Sequence, residues 1–322
     1  MPATATHSFF AQDVVEIIPS EIRNKLDINK IKMFAQSTDS LQFYNLWNFK
    51  SAKYIRRLHC VFHNSCTQEY FLNVLRYMKD NNIKDGDTLS YLFGIICHYA
   101  LDSTIHPYII YKTGQFNRKD ASTYKYNGIH HFMETFLDND MIRRRLNVNP
   151  YKFDISNFTF NISLFSEELN KTIDYSFYNT YKVKNMCNIY YKSLKQMRLF
   201  LKLFRKDAYG IKKFFYKIID SFTSKKTFRF DTLSYHYSLE DTHNFLNSDH
   251  QLWRNPTTYD MTSTESFVDL YLKAIKFAKV LMCASYDYLC DKNIDLEEIF
   301  DNTSYVTGIN CDSKKELKYF EF

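Results

Sequence analysis

The chain has 322 residues, of which 45% are hydrophobic and 24% charged, and carries a formal net charge of +6. That balance excludes a disordered polar chain and provides a sizeable core, in one large or two ordinary domains. No apolar run reaches the roughly 18 residues of a membrane span, and the best, YLFGIICHYAL at 91–101, contains a histidine. Six Gly and five Pro leave few breakers, and Leu, Ile, Lys, Phe and Tyr recur at helical spacing, so the expected fold class is all-α. In chain order the spacing predicts helices at about 8–18, 28–36, 66–82, 86–106, 121–146, 163–180, 184–206, 210–223 and 264–291. Thr67 to Glu69 and Asp87 to Ser90 supply N-terminal caps for two of them. Pro107 lacks an amide proton and disfavours α geometry at His106, so the helix from 86 is expected to end or kink there. No repeat or linker marks a boundary. The expected organisation is one helical domain over 1–295 and a tail over 296–322, whose composition fits a loose or a docked segment.

Seven cysteines form an odd set without a CxxC pair, and no charged and then apolar leader opens the chain, so a reducing cytoplasmic location is expected. Residues 182–229 hold fourteen Lys or Arg against two Asp. That stretch reads either as a solvated helix face or as a field for an anionic substrate, with Lys195, Arg198 and Lys202 as candidates to steer it.

Ligand-type residues recur every four positions in HYALDSTIHPY at 98–108, so a helix there sets His98, Asp102 and His106 on one face. His130 and Glu134 repeat the spacing. Imidazole nitrogen and carboxylate oxygen are the usual non-thiolate ligands of zinc. Eight residues span about 12 Å of helix axis, so His98 and His106 suit two ions, with Asp102 midway between them. Seven of the ten histidines precede residue 132, which locates the chemistry in the N-terminal half.

HYALDSTIHPY followed by HHFMETFLD at 130–138 resembles the zinc-dependent phospholipase C family, which is related to the fungal single-strand-specific zinc nucleases. The resemblance extends to THSFFAQDV at 6–14, FAQSTDSLQFY at 34–44, HNSCTQEYF at 63–71, LNSDHQLWRNP at 246–256 and ESFVDLYLKAIKFA at 265–278. It implies an all-helical domain of the phospholipase C and zinc nuclease type holding up to three zinc ions. By that resemblance one zinc is held by Asp39, His63 and His98 with help from Asp102, and a second by His106, His130 and Glu134. A third is held by His7, Asp102 and the amine of Pro2, exposed by removal of Met1. His59, one turn before His63, is the alternative ligand, although Thr67 and Phe71 match the family pattern only if His63 is used. Ser37 and Thr38 stand where the family has Gly-Pro before the loop aspartate. His131 is expected to point away from the metal. Trp253, His236, His243 and His250 lack partner spacing and are expected to be structural or exposed.

The implied function is zinc-dependent phosphodiester hydrolysis of the phospholipase C type, in which metal-activated water attacks phosphorus and Asp39 serves as general base. The substrate is left open between a phospholipid headgroup, reached by peripheral membrane contact, and a nucleotide. A single-strand nuclease or nucleotidase of related fold is one alternative, and a non-catalytic helical metal-binding protein is another. An open coordination position separates catalytic from structural zinc. A di-iron bundle needs paired Glu-x-x-His motifs, which are lacking.

Overall fold

Scarce breakers and long stretches at helical spacing give a chain of helices in the computed structural model, which describes residues 3–48, 52–117, 119–223, 229–236 and 240–321. The N-terminal half contains α1 (Thr4–Ile17), α2 (Ser20–Arg23), α3 (Ile28–Phe34), α4 (Lys53–Asn64), α5 (Thr67–Asp80), α6 (Gly86–Thr113) and α7 (Tyr124–Leu146). Then follow α8 (Ile155–Thr159), α9 (Glu167–Tyr181), α10 (Met186–Phe204), α11 (Ile211–Phe222), α12 (Phe267–Leu289) and α13 (Leu296–Ile299). A 3-10 turn, Ser37–Phe43, joins α3 towards α4. Two residues on each side form a hairpin, β1 (Trp253–Arg254) antiparallel to β2 (Thr262–Ser263), with Trp253 opposite Ser263. No helix among the described residues is long and apolar enough to cross a membrane.

Helix α6 is apolar around its whole circumference, and it is buried accordingly, with α12, α3, α1 and α7 against it. Gly94 permits the closest of these approaches. A Cβ there would lie 2.4 Å from the Phe34 Cβ, so only glycine lets the end of α3 meet the α6 backbone. The approach delivers the Ala35 carbonyl to the α6 face one turn further on.

Two expectations need correction. Of the two outcomes expected at Pro107, an end or a kink, the end is overturned: helix α6 continues to Thr113, because Tyr108, Ile109 and Ile110 are all buried and their packing offsets the lost backbone bond. Gly308 lies against the same spot, where a Cβ would meet the Ser103 oxygen at 2.7 Å and the Pro107 ring at 3.0 Å. Helix α4 is missing from the predicted spans, although placing His59 one turn before His63 presupposes helical backbone there. Its apolar residues Ile55, Leu58 and Phe62 do share one face, and that spacing is the signal that marks it.

Residues 300–321 run back across α6. Phe300 and Tyr305 are fully buried, the Tyr305 amide donates to the His63 carbonyl at 2.9 Å, and the Glu321 amide donates to the Tyr111 carbonyl at 2.9 Å. Lys112, itself buried, pairs with Glu321 at 2.7 Å.

Candidate metal centre

Three neighbouring elements bring the first cluster together. The turn 37–43 carries Asp39, α4 carries His63, and α6 carries His98 and Asp102; all four are buried, with one ligand atom from each within 4.8 Å of the others. Ser37 opens the turn with φ of 42°, a left-handed value that glycine adopts more readily, so the turn forms without the Gly-Pro of the resembling pattern.

Backbone carbonyls set the tautomers. The His63 Nδ1 lies 2.6 Å from the His59 carbonyl and the His98 Nδ1 lies 2.9 Å from the Ala35 carbonyl, so both Nδ1–H groups donate and both Nε2 atoms are left as acceptors. Those two Nε2 atoms are 3.1 Å apart. Asp39 Oδ1 and Asp102 Oδ2 lie 3.4 and 3.5 Å from His63 Nε2, and Asp102 Oδ2 lies 3.2 Å from His98 Nε2. Acceptors thus face acceptors in a buried space, an arrangement that is stable only around a positive charge. Either a proton or a metal ion supplies it. Burial lowers the His63 value, but Asp39 and Asp102 outweigh it and hold His63 above its ordinary range. Burial brings His98 down to about 4, so it is a neutral ligand at pH 7. The chemistry of this donor set fits a divalent ion of the zinc type.

The second cluster is His106, His130 and Glu134. Here Thr113 sets the tautomer of His130. Its hydroxyl donates to the Ile109 carbonyl at 2.8 Å, so its oxygen accepts from His130 Nδ1 at 3.3 Å, and His130 Nε2 turns a lone pair to Glu134 Oε1 at 3.2 Å. His106 Nδ1 lies 3.2 Å from the Tyr305 carbonyl, which aims Nε2 at the same carboxylate, 4.0 Å away. Burial lowers His106, yet Asp102 and Glu134 raise it to about 9. The Asp102 carboxyl is held well below the usual range, burial being outweighed by the His106, His98 and His7 imidazoles around it, and Glu134 is likewise held well below its usual range.

Asp102 joins the two clusters, its Oδ2 lying 3.2 Å from His98 Nε2 and 3.4 Å from His106 Nδ1. Its other oxygen is 3.2 Å from His7 Nε2, and the His7 ring stacks on His98 at 4.6 Å. Pro2 lies outside the described residues, so of its expected site only His7 and Asp102 are seen together.

His59 stays out of the first cluster, its Nδ1 engaged with the Arg56 carbonyl at 2.6 Å. His131 is a correction: it does not point away, but sets Nδ1 3.5 Å from Glu134 Oε2. Adjacent residues on a helix diverge by about 100°, yet a carboxylate has two oxygens, and Glu134 spans both rings. Trp253 is structural, its indole donating to the Glu265 carbonyl at 3.0 Å. His236 packs on Tyr151, His243 stacks on Phe245 and His250 is exposed, and none of them belongs to either cluster.

Asp39, His63, His106, His130 and Glu134 line one cleft of about 460 Å³, walled by Phe116, Tyr126, Ile110, Val306 and Leu317. Both clusters therefore open onto the same space. No curated protein and no solved structure matches the chain. The model of the zinc-dependent phospholipase C family matches residues 6–199, a span that holds every residue of both clusters as well as His7; the chain belongs to the zinc-dependent phospholipase C family.

Proposed function

We propose that the chain hydrolyses phosphodiesters, with phospholipid as its substrate class, at zinc ions held by Asp39, His63, His98 and Asp102 and by His106, His130 and Glu134. His7 and Asp102 offer a third position. The observation that carries this reading is the shared cleft. Structural zinc sites are closed by their protein ligands, whereas these clusters face a cavity large enough for a headgroup. Zinc held there supplies Lewis acidity towards a phosphoryl oxygen and lowers the pKa of water.

The chain's own groups do the rest. Asp39, 3.4 Å from His63 at the cleft floor, is placed to accept a proton from the attacking water. Asp102 couples the clusters, so both respond to its charge. The carbonyls of Ala35, His59 and Tyr305 and the hydroxyl of Thr113 hold the imidazoles in one tautomer and spare the site that reorganisation. The apolar walls, Phe116, Ile110, Val306 and Leu317, favour a lipid over a bare nucleotide.

The test is product analysis with phosphatidylcholine vesicles and with single-stranded DNA. Release of diacylglycerol and a phosphorylated headgroup supports the reading. Hydrolysis of DNA alone assigns the site to the nuclease alternative, and no hydrolysis of either by zinc-loaded protein refutes catalysis.

A further inference from the structure

Helix α11 is oriented the wrong way round for a water-soluble surface. An amphipathic helix on a globular protein turns its apolar stripe to the core, but in α11 Tyr216 is buried while Ile211, Phe214, Phe215, Ile218 and Phe222 are exposed, Phe222 by 84%. Polar groups are what tie the helix down. Lys212 Nζ donates to the Leu203 and Lys206 carbonyls at 2.6 and 2.8 Å, and Lys213 Nζ donates to the His236 carbonyl at 2.5 Å. Asp220 accepts from the Phe230 and Asp231 amides at 2.8 and 2.9 Å. The apolar face is thus held outward by bonds that fix its rotation, and it forms a contiguous patch rather than scattered exposed residues.

The neighbouring helix supplies charge. Lys192, Lys195, Lys202 and Lys206 of α10 and its C-terminal flank are exposed, with Leu199 and Leu203 exposed among them. Aromatic and aliphatic side chains bordered by lysines are the composition that seats a helix at the interface of an anionic bilayer. A second copy fits poorly, because a symmetric contact sets each basic α10 face against its twin. Other side chains of the same two helices reach the elements that build the cleft. Phe200 of α10 packs on Phe43, in the turn that carries Asp39, at 5.1 Å. Lys217 and Asp220 of α11 share a cavity with Lys125 and Ile129 of α7, next to Tyr126 and His130.

We propose that α10 and α11 form a docking surface for anionic phospholipid bilayers, with the aromatic face of α11 entering the headgroup region and the α10 lysines pairing with lipid phosphates. Docking stands on this surface and not on the metal centre, and it is measured without turnover, so it and the proposed hydrolysis fail separately.

The test is flotation of the full chain with vesicles of phosphatidylcholine containing about a third phosphatidylserine, against pure phosphatidylcholine, at low and physiological salt. Wild-type protein is expected on the anionic vesicles, less so as salt rises. F214S/F215S and K192E/K206E each bind about tenfold more weakly or worse, with unchanged melting and unchanged turnover of a soluble chromogenic phosphodiester. Equal binding of both vesicle types, no binding at low salt, or variants that bind as wild type overturn the proposal. So does a wild-type dimer that F214S/F215S converts to monomer, which assigns the patch to a second copy.

Discussion

Replacing Thr113 with valine separates the support of the metal centre from the ligands themselves. The side chain keeps its shape and branching and loses only the hydroxyl, which joins the Ile109 carbonyl at 2.8 Å to His130 Nδ1 at 3.3 Å. Without it, His130 is free to place its proton on either nitrogen, and the Nε2 lone pair facing Glu134 is no longer enforced. Loss of such a partner costs about 10–100-fold in metal affinity, or roughly 1.4–2.8 kcal/mol. Because 3.3 Å is long for a hydrogen bond, the lower end is expected, about tenfold. The assay is competition for zinc against a chromogenic chelator. Thr172→Val is the control, since its buried hydroxyl makes the same kind of bond to the Glu168 carbonyl, at 2.7 Å, on a helix that carries no ligand. If T113V holds zinc as tightly as T172V and wild type, the tautomer argument for the second cluster is wrong.

Asp102→Asn tests the coupling of the clusters: it removes the charge shared by His7, His63, His98 and His106, and zinc affinity at both clusters should fall by more than the ~10–100-fold of an outer-sphere loss. A change confined to one cluster, read by stepwise titration, contradicts it. In chelated protein His106 titrates at about 9, above its ordinary 6.5. The folded state therefore binds that proton more tightly than the unfolded chain, and its stabilisation is full below about pH 6.5 and lost as pH rises through about 9. Urea midpoints of chelated wild type should accordingly drop between neutral pH and about pH 9.5, and His106→Gln should flatten that part of the profile; identical profiles count against the assignment. Gly308→Ala forces a side chain into φ of 65° and against the Ser103 oxygen. Thermal melting should show a loss of about 1–3 kcal/mol, with zinc affinity reduced through the displaced Tyr305 carbonyl, whereas unchanged melting shows that the 300–321 segment does not depend on this contact.

Much of the centre was legible because helical spacing is a local property. His98, Asp102 and His106 follow from four-residue periodicity, as does the pairing of His130 with Glu134. The choice of His63 over His59 came from resemblance, and the packing that separates them, Phe62 inward and His63 against Tyr305, is tertiary. Carbonyls leave no trace in a sequence, so the tautomer-setting roles of Ala35 and Tyr305 were invisible, and they depend on approaches made by Gly94 and Gly308. Pro107 misled because a local rule about backbone geometry was outweighed by burial on both sides of it. Helix α11 shows the converse limit: its periodicity marks a helix equally well whether the apolar face meets the core or the solvent, and only the anchoring bonds of Lys212, Lys213 and Asp220 decide.

The most direct measurement is elemental analysis of purified protein coupled to phosphodiesterase turnover before chelation, after chelation and after zinc is restored. At least two zinc ions per chain, one for each cluster, with turnover that disappears on chelation and returns with zinc, is the predicted result. Less than one zinc per chain, or turnover indifferent to the chelator, contradicts a zinc-dependent hydrolase.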